Sequence, residues 1–381
     1  AAINVLRSVF CDKMKQIWAH NWKFDGLIVH PYVGSHGIQR FDSMVACWMA
    51  NHGDKAGRYG LKGVTAHRLG VEMSSFEETL GERQQWAELD PAEGIEYAGL
   101  DAWASLALGL EAKGVLEERQ QWRAFLDVEM PFVWCLQDVE WRGMSLDRES
   151  MQSLFDEARA RIGEIREEWE FLVGDVSISS AAQLREHFYG GKIWSTKGVP
   201  RTPKGAFKTD REAMEMHLAR YSSDSVAGQA VRLKMELQDL QKITRTYTAS
   251  LLAEADHYLD GRLHPSYHHT GTATGRLSCS NPNLQNIPAR SELGLRVKKC
   301  FVPGRGNVFV SADYSQIELR VLAHFCGGKL AEAYQEGRDV HQQTADLLNI
   351  PRHAAKTWNF ATVYGAGPKK IAKLTGVDVG E

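Results

Sequence analysis

The chain has 381 residues, 43% of them hydrophobic and 24% charged, enough for two or three domains with a core in each. A net charge of -3 argues against a protein that coats nucleic acid through bulk charge, and no apolar run is long enough to span a bilayer. No signal-peptide pattern is present, and the six cysteines form no CxxC pair, so reduced thiols and a cytoplasmic location are expected. The average charge hides an asymmetry: residues 262–381 hold fifteen Lys or Arg against nine Asp or Glu, about +6, which leaves about -9 for the remainder. A basic C-terminal third can hold a polyanion while the acidic part does other work.

Residues 1–126 open with the apolar stretch Ile17-Trp18-Ala19-His20 and then place Asn21 and Asp25 four residues apart. Further on, Ile95-Glu96-Tyr97-Ala98-Gly99-Leu100-Asp101 leads into a helical run over 102–110, with Tyr97 and Asp101 one turn apart on one face. Residues 127–262 are rich in charge, and their apolar positions recur near a 3.6 period over 151–171 and 231–252, which predicts two long helices. The stretch 190–208 between them is dense in Gly, Lys, Thr and Pro. It reads either as a mobile tip that touches backbone phosphates or as a solvated linker.

In residues 263–381, Val308-Phe309-Val310-Ser311-Ala312 predicts a buried strand, with Asp313 where it gives way to a turn. A helix is expected from Ser315, with Glu318 and Arg320 in its first turns. Pro351 suits the first turn of another helix that runs without breakers through Tyr364. Arg352, Lys356, Phe360 and Tyr364, four apart, lie along one drifting stripe: two cations, then two aromatics. Arg352 and Lys356 can grip a triphosphate, the Arg by bidentate hydrogen bonds and the Lys as a point charge. Phe360 and Tyr364 can carry a sugar and base, or the templating position.

Asp313-Tyr314-Ser315-Gln316-Ile317-Glu318-Leu319-Arg320 resembles motif A of family A DNA polymerases, and 352–365 resembles their motif B, RxxxKxxxFxxxYG. Thr272 to Ser278 and Asn281 to Pro288 resemble the TATGRLSS and NPNLQNIP elements of the same family, in the same order. Asn21, Phe24 and Asp25, then Tyr97 and Asp101, resemble the second and third motifs of a 3′-5′ proofreading exonuclease. The resemblance implies an α/β and α+β multidomain chain: an RNase H-like exonuclease domain over 1–126, palm entry and a helical thumb over 127–262, and over 263–381 part of a palm with the start of the fingers.

The resemblance also implies roles. Asp313 and the backbone carbonyl of Tyr314 would be metal ligands, with Lys356 a second catalytic residue. Arg352, Lys356, Phe360, Tyr364, Gln316, Glu318 and His341 would line the nucleotide site, Glu318 as the steric gate against a ribose 2′-OH, although Glu318 could instead pair with Arg320. Thr272, Thr274 and Arg276 would follow the primer minor groove, and Asn283 and Gln285 would read its nearly sequence-independent acceptors. Asn21, Asp25, Tyr97 and Asp101 would serve the exonuclease, Asp25 and Asp101 as metal ligands. Two Mg²⁺ ions per complete site are expected, because two ions clamp the attacking and leaving oxygens of an in-line displacement.

The expected partners are primer-template DNA and dNTPs, with no membrane and no processivity factor specified. The family's DxE before Asn21 and its HDE after motif B both fall outside 1–381, so each site is expected to lack a carboxylate and these residues alone to be inactive. Ala361 departs from the usual Gly after the motif B aromatic. Two other readings stay open: a single-subunit RNA polymerase, and a non-catalytic primer-template or nucleotide-binding protein.

Overall fold

In the computed structural model, residues 2–10, 15–33, 39–51, 59–289 and 291–375 are described. Cys11 lies outside them. The chain divides into two compact units, Ala1–Val308 and Phe309–Glu381.

The first unit begins around a parallel strand pair, β1 (Gln16–Ala19) and β2 (Gln39–Asp42), joined through the helix Trp22–Val33. Among the described residues this is the only pairing in the first segment. Trp18 and Phe41 of the pair, with Trp22, Leu108, Leu116, Phe125 and Met130, form an aromatic-rich core. The long helix Pro91–Glu118 closes on it at Gly109, where a Cβ would come within 2.2 Å of the Trp18 ring. The core runs past residue 126, because the helix Met130–Arg142 packs on Trp22–Val33. A buried ion pair fastens these helices: Lys23 Nζ meets the Glu140 carboxylate and donates to the Tyr267 carbonyl. The same carboxylate accepts the Tyr267 N–H at 2.6 Å.

Both predicted long helices form. The first runs Arg148–Val173, and the second runs Val226–Lys242 and continues through a π-helical stretch into Ala249–His257. They share a core of Ile165, Trp169, Phe188, Trp194, Val231 and Leu237. The stretch 190–208, read as either a mobile tip or a solvated linker, is anchored at its base. Trp194 and Val199 are buried, Arg201 pairs with Phe207 in a bridge, and Tyr189 Oη donates to the Lys208 carbonyl at 3.0 Å. Two apolar plugs in a loop rich in turn residues fix its base, while Lys197 and Lys204 stay exposed. A third core gathers Leu146, Met151, Leu154, Ile243, Tyr247, Leu263 and Val297, next to the antiparallel pair β3 (Ser266–His268) and β4 (Ser278–Ser280).

The second unit is helical among its described residues: Ile317–Cys326, Gly328–Gln335, Val340–Leu348, Arg352–Val363 and Pro368–Thr375. The strand predicted over 308–312 does not form. Val308 and Val310 are 80% and 86% exposed, and no described residue takes their ladder hydrogen bonds. β-branched composition sets only a preference, and a strand without a neighbour has nothing to satisfy its backbone. No helix among the described residues is long and apolar enough to cross a membrane.

Candidate functional site

In the second unit, Asp313 is exposed near the end of the unpaired stretch, two residues before the turn at Ser315 and Gln316. Gln316 adopts a left-handed conformation (φ 54°), which turns the chain into the helix Ile317–Cys326. Two contacts hold that turn. Arg320 Nε donates to the Ser315 carbonyl at 2.8 Å, and Tyr334 Oη donates to Gln316 Oε1 at 2.7 Å. The Arg320 guanidinium also lies 4.6 Å from the Tyr334 ring centroid, so the Gln316 side chain is used partly within the protein.

Glu318 leaves the first turn of that helix and accepts a 2.6 Å hydrogen bond from Tyr364 Oη. The ends of the two polymerase-like motifs are thereby joined. The motif B helix is unbroken from Arg352 to Val363, with Pro351 one position outside it as the N-cap and Ala361 causing no interruption. Arg352 pairs with Asp339 through Nε and Nη2, both at 2.8 Å, while Lys356 is exposed and Tyr364 is 64% exposed. Asp339 is held below the usual carboxylate range: its burial acts the other way, and the hydrogen bonds from Arg352 and from backbone N–H groups overcome it.

His341 is buried, at 1% exposure. Asn359 bridges Thr344 Oγ1 and His341 Nδ1 at 3.0 Å each and does not reach the other ring nitrogen, Nε2. That Nε2 is buried without a hydrogen-bond partner. Burial lowers the pKa of His341, opposed by Asp339 and assisted by the charges of Arg352 and Lys356. Phe360 lies beside the ring, at 5.7 Å between centroids.

The predicted minor-groove residues belong to the first unit. Thr272 Oγ1 donates to the Arg276 carbonyl at 2.6 Å and lies 3.4 Å from Thr274 Oγ1, which closes a compact turn with Arg276 exposed. Asn283 Oδ1 accepts the Gln285 N–H and caps the short helix Leu284–Asn286, while the Gln285 side chain is exposed. Tyr247 Oη anchors the turn through the Asn286 carbonyl. Just upstream, His268 to Gly271 share a cavity of about 280 Å³ with Asn21, Lys23 and Phe24.

In the first segment, Asn21 takes the left-handed conformation (φ 66°) that ends β1 and starts the helix carrying Asp25. Sequence reasoning missed the residue that fixes this corner. Asp42 is 1% exposed, caps the helix Ser43–Ala50 through Met44 N, and accepts the Asn21 and Trp22 N–H groups at 3.1 and 2.8 Å. One carboxylate thus secures two helix starts, and an Asp before a helical run was its only sequence signal. Burial raises the Asp25 pKa to about 6, with the Asp42 charge adding to it.

Tyr97 and Asp101 do lie one turn apart, on the helix Pro91–Glu118, and Lys62 contacts both: its ammonium pairs with Asp101 Oδ1 and stands 4.1 Å from the Tyr97 ring centroid. Lys62 was also missed, since a lone Lys carries no pattern. His20 bridges the Tyr59 carbonyl and Ser43 Oγ; burial lowers its pKa against the raising effects of the Tyr59 bond, Asp42 and Asp101.

Asp25 and Asp101 offer hard oxygen donors of the kind Mg²⁺ takes, as do Asp313 and the neighbouring Tyr314 carbonyl. Asp42 is committed to backbone N–H groups. Among the described residues no three His, Cys, Asp or Glu side chains converge on one point, so each set is partial.

The family model for DNA polymerase family A matches residues 148–381, and this chain belongs to that family. Among its relatives, DNA polymerase I of Chloroflexus aurantiacus is 31% identical over 401 residues, across 99% of this chain and 41% of that protein. DNA polymerase I of Treponema pallidum is 32% identical over 391 residues, across 98% and 37%. DNA polymerase I of Helicobacter pylori strain J99 is 36% identical over 278 residues, across 71% and 29%. The chain spans well under half the length of these relatives. Its fold is similar to the solved polymerase domain of Pol1 from M. smegmatis in complex with DNA primer-template and dNTP, with a TM-score of 0.79 and 23% identity over 98% of this chain and 63% of that one. The architecture is that of a family A polymerase domain, mostly helical with short sheets.

Proposed function

We propose that the protein carrying these residues is a DNA-templated DNA polymerase that acts on primer-template DNA and dNTPs, with an associated 3′-5′ exonuclease, working in the cytoplasm. The observation that carries the polymerase reading is the Tyr364–Glu318 hydrogen bond, which joins motif A to motif B five residues after Asp313. It supports a nucleotide site in which Arg352 and Lys356 take the triphosphate, Phe360 and Tyr364 take the sugar and base, and Glu318 rejects a 2′-OH. Bound Mg²⁺ would neutralise developing phosphoryl charge, with Asp313 and the Tyr314 carbonyl among its ligands. Thr272, Thr274, Arg276, Asn283 and Gln285 would follow the primer-template minor groove.

Residues 1–126 are read as an RNase H-like exonuclease domain, 127–262 as palm entry and thumb, and 263–381 as palm with the start of the fingers. Asn21 and Asp25 where β1 turns into a helix, and Tyr97 and Asp101 one turn apart on the helix Pro91–Glu118, support the exonuclease assignment, with Asp25 and Asp101 as Mg²⁺ ligands. Primer extension by the full-length protein tests the main reading. Template-directed dNTP addition that Asp313→Ala abolishes is the expected result. Addition of rNTPs alone would favour an RNA polymerase, and binding without turnover would favour a non-catalytic protein.

A further inference from the structure

Lys62 stands second in the helix Leu61–Leu69, whose N-cap is Gly60. This is an unfavourable place for a cation, because the first turn carries the positive end of the helix dipole. The helix therefore gains nothing from its charge. What the charge does instead is local: the ammonium pairs with Asp101 Oδ1 and lies over the face of Tyr97, so one side chain ties together both members of the Tyr97–Asp101 pair. Lys62 and Asp101 are each only about 29% and 28% exposed, so the pairing is partly shielded from solvent.

We propose that Lys62 is a positioning residue of the exonuclease site, a built-in counter-cation that holds Asp101 and Tyr97 in place and that a divalent ion must displace from Asp101. This rests on the exonuclease reading of Asp25 and Asp101. A compact, strongly hydrated ammonium on a flexible stem suits such a replaceable role, since it can leave the carboxylate and remain close enough to meet a phosphate. The inference needs no additional ligand and no proton transfer. It predicts competition between the ammonium and the metal for one oxygen.

Mn²⁺ binding to the full-length protein carrying Asp313→Ala to silence the second metal site, followed by electron paramagnetic resonance, tests it. Lys62→Met should bind Mn²⁺ about tenfold more tightly than the parent, and Lys62→Arg, which keeps the cation, should stay near the parent value. Asp101→Asn should weaken binding. Lys62→Gln, with matched thermal melts, covers the case in which Lys62→Met folds poorly. Unchanged or weaker Mn²⁺ binding in both neutral variants, with Asp101→Asn still weakening it, would overturn the proposal and leave the exonuclease reading standing. Binding that neither Asp25→Asn nor Asp101→Asn weakens would remove that reading and the proposal with it.

Discussion

Tyr364 Oη donates to Glu318 Oε2 at 2.6 Å, so the side chain proposed as the sugar gate is held by the residue that caps the C-terminal end of the motif B helix rather than by Arg320. Arg320 is occupied by the Ser315 carbonyl and the Tyr334 ring. A gate that is held in position excludes a hydroxyl better than one that can rotate away.

Glu318→Ala in the full-length protein should therefore raise the ratio of rNTP to dNTP incorporation efficiency tenfold or more, where each tenfold is about 1.4 kcal/mol. Tyr364→Phe keeps the ring and removes the hydrogen bond, and should raise the ratio by less. Single-nucleotide incorporation kinetics with matched rNTP and dNTP measure both, and an unchanged ratio in both variants would remove the gate.

Arg352 and Lys356 differ in how they are prepared for a triphosphate. Arg352 is oriented by Asp339, whereas Lys356 is exposed. Lys356→Ala should cost about 1.5–3 kcal/mol in kcat/KM for dNTP through the loss of a charge-assisted contact, with primer-template affinity near normal. Arg352→Ala should cost at least as much, because it also leaves Asp339 without its cation. Weaker DNA binding with normal nucleotide use would place the stripe against the other ligand.

Asp25→Ala and Asp101→Ala should each abolish 3′-5′ degradation in the full-length protein while primer extension continues. Both activities are measured on one preparation. Joint loss would assign these residues to folding instead.

The buried pair Lys23–Glu140 makes a stability prediction. Lys23→Ala leaves Glu140 buried with only the Tyr267 N–H, which should destabilise the first unit by about 3–5 kcal/mol in denaturant unfolding. Lys23→Met combined with Glu140→Gln should recover much of that loss, since no uncompensated charge remains.

His217 is fully buried against Trp194, and its ring bonds Tyr189 Oη at 2.9 Å; burial and the nearby Arg220 lower its pKa to about 4. The unfolded chain takes up this proton near pH 6.5 and the folded one does not until about pH 4, so stability is full above 6.5 and declines as pH falls between those values. The loss amounts to roughly 3 kcal/mol at its limit. Melting curves from pH 4 to 7 should flatten in His217→Gln. An identical acid slope would mean that other groups set it.

Much of this protein was legible in its sequence because its chemistry is carried by short local strings. The long helices over 148–173 and 226–257, the Arg352–Val363 stripe and the Tyr97–Asp101 face all follow from a 3.6-residue period that needs no partner to be read. Family membership followed from motif order in the same way. Tertiary structure decided whatever depends on a partner distant in the chain. Val308 to Ala312 has strand composition and no strand, since a ladder needs a second backbone. His341 turned inward onto Asn359, and Asn283 spent its acceptor on a cap. Asp42, Lys62 and the Lys23–Glu140 pair were invisible because their meaning is a contact across 20, 39 and 117 residues. Sequence spacing encodes which side chains share a helix face; which charges neutralise each other is settled only when packing excludes water and leaves each buried ion one available partner.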